Sequence, residues 1–169
     1  YRRQRQMCIR DRDITTSVSA FIENLAGGST VAILSSSDPD SGNTFTYALV
    51  SGSGSTDNGL FTISGNELKI NGVPDFESRS SYGIRVRTTD QGGLFFEKSL
   101  SLVVNDLNEA PTNLSSSVSA FNENLTAGST VATLSSSDPD SGNTFTYALV
   151  TGSGSTDNGL FTISGNELK

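Results

Sequence analysis

Apolar and polar side chains alternate in short runs along this chain, and clusters of Gly, Ser, Asn and Asp separate the runs. The pattern predicts seven strands, at Ser17–Phe21, Thr30–Ser36, Phe45–Val50, Leu60–Ile63, Glu67–Ile70, Tyr82–Thr89 and Phe95–Asn105. Period-two alternation then assigns faces. Phe45, Tyr47 and Leu49 share one side of their strand, as do Tyr82, Ile84 and Val86, and Leu100, Leu102 and Val104. Arg85, Arg87 and Lys98 fall on the outward faces, and Ile33 faces outward between inward Ala32 and Leu34. Ser64-Gly65-Asn66 reads as a tight turn. Residues 51–59 read as a flexible surface loop in which Asp57-Asn58-Gly59 is an ordinary turn. Short strands of this spacing predict an all-β sandwich, and about 100 residues can bury one modest core without covalent staples.

The pattern then starts again. Residues 17–69 recur as 117–169, a period of 100 residues, with differences only at Ile22/Asn122, Ala26/Thr126, Gly27/Ala127, Ile33/Thr133 and Ser51/Thr151. A unit of this length is one compact domain, larger than a solenoid repeat. The expected organisation is a non-native segment at 1–12, a complete repeat with its linker at 13–111, and a truncated second repeat at 112–169. The second repeat stops after its fifth strand. Pro111 ends the first repeat, and so short a linker makes the joint between domains a determinant of their relative angle.

Residues 1–12 resemble the in-frame translation of a sequencing adapter and are set aside. They hold five of the eleven basic residues, one of the eighteen acids, the only Cys and the only Met. What remains carries seventeen acids against six bases, a formal charge of −11 where the whole chain has −7. Such a surface argues against nucleic acid and against anionic lipid, and favours cations. No apolar run reaches membrane-spanning length, so no membrane insertion by this segment is expected.

The acids are clustered. Glu23-Asn24, Asp38-Pro39-Asp40-Ser41-Gly42-Asn43, Asp75-Phe76-Glu77, Asp90 and Asp106-Leu107-Asn108-Glu109 all sit at strand ends or in loops, where main-chain carbonyls are also free to coordinate. Calcium takes six to eight oxygens from carboxylates, amides, carbonyls and water, and two acids spaced i, i+2 in extended chain place both carboxylates on one side. Each cluster alone reads as a turn or a solvated loop before it reads as a metal site. Their joint occurrence beside an acidic linker points to calcium.

Taken in order, these motifs resemble the cadherin repeat: Glu-Asn, Asp-x-Asp-x-Gly-Asn, Asp-x-Glu, Tyr-x-Ile-x-Val-x-x-x-Asp-x-Gly, then Asp-x-Asn-acid and Pro. The Ser-, Thr- and Gly-rich version here is similar to cadherin-like repeats of bacterial surface and secreted proteins. The resemblance implies tandem seven-stranded Greek-key β-sandwiches of the immunoglobulin-like, cadherin type, the second copy truncated. It also implies Ca2+ shared between successive repeats. For the joint between the two units the implied ligands are Glu23, Asp75, Glu77, Asp106, the Leu107 carbonyl, Asn108 and Glu109, with Asp138, Asp140 and the Asn143 carbonyl. Asp38, Asp40, Asn43 and Asp90 would face a preceding joint, and Glu123 a following one. The linker Asp106–Pro111 is one residue shorter than the family's Asp-x-Asn-Asp-Asn-x-Pro, which leaves two or three ions per joint.

The function implied is a calcium-rigidified stalk or adhesive segment of a large cell-surface or secreted protein, extracellular and of bacterial type. Its partners would be adjacent repeats in the same chain and a homophilic or cell-surface ligand. A rival reading is an accessory or carbohydrate-binding module of a secreted hydrolase, for which exposed aromatics such as Phe95 or Phe96 would be required. An enzyme is not expected: there is no His, and the sole Cys lies in the segment set aside.

Overall fold

A computed structural model describes residues 12–38, 42 and 44–169. The chain divides into two compact units, residues 1–107 and 108–169. Asp40 and Asn43, and all of the presumed adapter except Arg12, lie outside the described residues.

The first unit is two four-stranded sheets. One has the order β1 (Asp13–Thr16), β3 (Thr30–Ser37), β6 (Glu67–Ile70), β5 (Phe61–Ser64); the other has the order β2 (Ala20–Ile22), β8 (Phe95–Asn105), β7 (Ser81–Asp90), β4 (Phe45–Leu49). The inward faces follow the alternation. Tyr82, Ile84, Val86 and Thr88 of β7 and Leu102 and Val104 of β8 are buried, and Ala32 and Leu34 are buried while Ile33 is 38% exposed. A register shift between Thr30 and Ala32 lets Val31 turn inward as well. The two sheets meet on Tyr82, which stacks on Phe21 at 6.2 Å and takes Phe61 edge-on at 5.4 Å between ring centroids.

The start of the sandwich departs from expectation. No single strand covers Ser17–Phe21. The chain pairs from Asp13, with Ile14 fully buried opposite Ser36, and then breaks at 17–19. There Ser17 N–H donates to Ile33 O and Ser17 Oγ accepts from Ile33 N–H. The strand resumes as β2 in the other sheet, running parallel to β8. One strand serving both sheets needs such a break, because Ile14 and Phe21 must enter the core from opposite layers.

The second unit has one sheet, ordered β11 (Ile163–Ser164), β12 (Glu167–Leu168), β10 (Ala132–Ser137), β9 (Asn113–Ser116), the counterpart of β5-β6-β3-β1. Its residues 145–149 repeat the sequence of β4 yet form no strand, and Phe121, the counterpart of buried Phe21, is 57% exposed. In the first unit those segments hydrogen-bond to β7 and β8. The sequence ends before the second unit's equivalents of those two strands.

Candidate metal centre

Glu23 follows β2 directly, where parallel pairing with β8 brings it beside the end of the unit's last strand. It is 1% exposed. Its N–H donates to Asn105 O at 3.2 Å; its Oε1 accepts from Leu107 N–H at 2.7 Å and its Oε2 from Phe76 N–H at 2.8 Å. Asn24, at φ 58°, turns the chain so that its own N–H reaches Pro74 O at 2.9 Å. Two segments far apart in sequence therefore converge on one residue. The donors Phe76 and Leu107 are the chain neighbours of Glu77 and Asp106, and carboxylate oxygens of Glu23, Glu77 and Asp106 lie within 4.8 Å of one another. Asp75 does not join that group. Its Oδ1 accepts from Ser78 N–H and its Oδ2 from the Ser78 hydroxyl, both at 2.9 Å, and these bonds hold its carboxyl below the usual carboxylate range.

The far end of β7 carries the other acids of this unit. Asp90 Oδ1 accepts from Leu94 N–H at 2.9 Å and closes the turn into β8. Asp38 pairs with Arg12, Nε to Oδ2 at 3.4 Å. Both carboxylates line a cavity of about 10 Å³, together with Thr88, whose buried Oγ1 has no hydrogen-bond partner among the described residues.

In the second unit Asp138 Oδ1 accepts from Asp140 N–H at 3.0 Å and from Asn143 Nδ2 at 2.7 Å. Asp140 Oδ2 accepts from Glu109 N–H at 2.8 Å, and Asn108 Nδ2 donates to Glu109 O at 2.9 Å. Glu123 is exposed, and Asn124 beside it repeats the left-handed backbone of Asn24 at φ 61°.

These donor sets fit calcium. They are oxygens only, and three carboxylates within 4.8 Å repel unless a cation is shared among them. In the second unit Asp140 Oδ1 is buried without a hydrogen-bond partner, the kind of orphaned acceptor that a cation satisfies.

One feature reads as an ordinary turn in the sequence and is not one. Asp57 is buried. It accepts from Gly83 N–H through Oδ2 at 2.8 Å and pairs with Arg79 through Oδ1. Asn58 donates to Val50 O and accepts from Arg85 N–H, each at 2.9 Å. The loop that looked flexible is thus docked on β7. Its internal bonds recur in the second unit, where Ser155 Oγ donates to Gly152 O at 2.8 Å and Asn158 Nδ2 to Val150 O at 2.9 Å. No periodic signal marks it, because its partners lie about 26 residues away in sequence.

No protein-family model matches the chain. Human protocadherin alpha-2 is 33% identical over 146 residues, covering 79% of this chain and 15% of that protein; chimpanzee protocadherin alpha-2 gives the same figures. Human protocadherin gamma-A11 is 30% identical over 126 residues, covering 71% of this chain and 13% of that protein. The crystal structure of the protocadherin GammaB4 extracellular domain superposes with a TM-score of 0.53 at 26% identity, over 93% of this chain and 27% of that one. This chain is built of cadherin-like repeats. The EC1-2 region of human protocadherin-24 gives a TM-score of 0.65 at 19% identity, over 93% of this chain and 77% of that one, a likeness of fold alone. The chain spans about 15% of the length of the protocadherin alpha-2 relatives. Among the described residues, no helix of these cadherin-like repeats is long and apolar enough to cross a membrane.

Proposed function

We propose that these repeats are a calcium-stiffened stalk or adhesive segment of a large cell-surface or secreted protein, serving cell adhesion. The observation that carries this reading is the convergence of Glu23, Glu77 and Asp106 where the last strand of the first unit runs into the linker. Asp106, Asn108, Glu109 and the Leu107 carbonyl supply the linker's oxygens. Asp138, Asp140 and the Asn143 carbonyl supply those of the second repeat. Asp75 stands by at the first, while Asp38, Asp40, Asn43 and Asp90 serve a preceding repeat and Glu123 a following one. The Ser-, Thr- and Gly-rich composition is compatible with a bacterial exported protein.

Bound calcium supplies positive charge to this crowd of carboxylates. The chain's own part is to hold seven of them, Glu23, Asp75, Glu77, Asp106, Glu109, Asp138 and Asp140, on either side of a short linker. Without the ion their mutual repulsion keeps the linker loose; with it, both repeats are tied to the same charge. Extracellular calcium modules bind at roughly 10⁻⁴ to 10⁻³ M. At one to ten times the dissociation constant each independent site adds about 0.4–1.4 kcal/mol. Calcium is therefore a stiffener here more than a condition for folding.

The test uses the chain extended after Lys169 by a copy of residues 70–111, so that both repeats are whole. Solution scattering and calorimetry in chelator and in millimolar calcium should show a longer, more stable particle with the ion. Asp106→Ala combined with Asp138→Ala should abolish both changes. A particle whose dimensions and melting ignore calcium would end this reading.

A further inference from the structure

We propose that Glu23 is a positioning residue that assembles the first repeat's ligand group before any metal arrives; this rests on the calcium reading above for its purpose but not for its test. A carboxylate that is 1% exposed is costly unless its charge is answered. Here it is answered by two main-chain donors from segments far apart in sequence, Phe76 N–H at 2.8 Å and Leu107 N–H at 2.7 Å, each to its own oxygen. A third bond, from Glu23 N–H to Asn105 O at 3.2 Å, fixes the residue that carries the carboxylate. Charge-assisted bonds of this length are the strong kind.

The placement of the donors gives the brace its purpose. Phe76 is followed by Glu77, and Leu107 is preceded by Asp106. Tying those two amides to one side chain sets the positions of the two neighbouring carboxylates, and oxygens of all three residues then fall within 4.8 Å. Phe76 is packed against the core and Pro74 is fully buried, so the 74–77 segment is anchored at its base as well. Besides offering its own oxygens to that group, Glu23 works through backbone, and this part of its work is done on the metal-free protein. Residues that hold ligands in place typically cost 10–100-fold in metal affinity when changed.

Glu23→Gln tests this, because glutamine keeps the shape but offers one acceptor oxygen and turns an NH2 toward the other amide. The whole chain is measured in chelator by amide hydrogen exchange, and then titrated with calcium. The expected result is slow exchange at Phe76 and Leu107 in the metal-free protein, faster by at least about tenfold in Glu23→Gln, with Ile84 and Leu102 in the core unchanged; calcium affinity should fall at least about tenfold. If the Phe76 and Leu107 amides of the unaltered chain already exchange freely in chelator, the proposal is overturned, whatever calcium does afterwards. That measurement needs no variant, so it stands even if Glu23→Gln fails to fold. Slow exchange together with no calcium binding would sink the calcium reading and leave the brace intact.

Discussion

Arg87 Nη2 lies 2.6 Å from Glu97 Oε1, and the two residues are direct cross-strand partners on the outward face of the β7–β8 ladder. Arg87 adds a second bond from Nε, Arg85 grips the other oxygen of Glu97, and the Arg87 guanidinium carbon sits 4.3 Å above the Phe95 ring. Phe95 is thereby capped by a cation. The two arginines hold the Glu97 carboxyl below the usual glutamate range.

The pH dependence follows in sign. A depressed folded-state value means that the contribution is present above the ordinary glutamate range and is lost as pH falls through the lower folded value. Carboxyl NMR should show Glu97 titrating below the ordinary glutamate range, and Arg87→Ala should move it back upward. An inflection within the ordinary glutamate range, unmoved by Arg87→Ala, would show that the arginine pair does not act in solution.

Asp57→Ala should destabilise the first unit by about 1–3 kcal/mol, since Gly83 N–H and the Arg79 guanidinium both lose their acceptor. Urea unfolding of the variant reads the docking of the loop; a loss below about 0.5 kcal/mol would mean the docking contributes nothing.

Gly54 has φ 81°, and a Cβ there would lie 2.5 Å from Ser99 Oγ. Gly154 has φ 83° with nothing within 4 Å. Both alanine variants carry left-handed backbone strain of roughly 1–2 kcal/mol, and Gly54→Ala should lose more because the loop must also lift from β8. Melting temperatures of the pair separate strain from collision.

Ile84 is fully buried and Ile33 is outward. Ile84→Ala should cost about 2–5 kcal/mol, whereas Ile33→Thr, the residue the second copy carries at Thr133, should change stability by less than about 0.5 kcal/mol. Denaturant midpoints measured in chelator check both. Similar shifts would overturn the facing read from the alternation.

Much of the first unit was legible because its strands bury one face: Tyr82, Ile84 and Val86 alternate inward with Arg85 and Arg87 outward, and the Ile33/Thr133 exchange marks a solvent position. The acidic groups stood out as local pairs. Their convergence did not, because Glu23 meets Phe76 and Leu107 only through tertiary pairing. The break at 17–19 was also hidden: Val18 and Phe21 look like parts of one run, and only the competing claims of β3 and β8 divide it. Asp75 carries a local tie that the motif did not announce: its carboxylate accepts from Ser78, three residues along the same chain.

In the first unit β2 and β4 bond to β8 and β7, so the sheet they share is closed by contacts far apart in sequence, and long-range pairing of this kind is intrinsically slow to form. Where neighbours are near-copies, the strands that complete one unit also suit the next, and misassembly between units is the failure such an array must avoid.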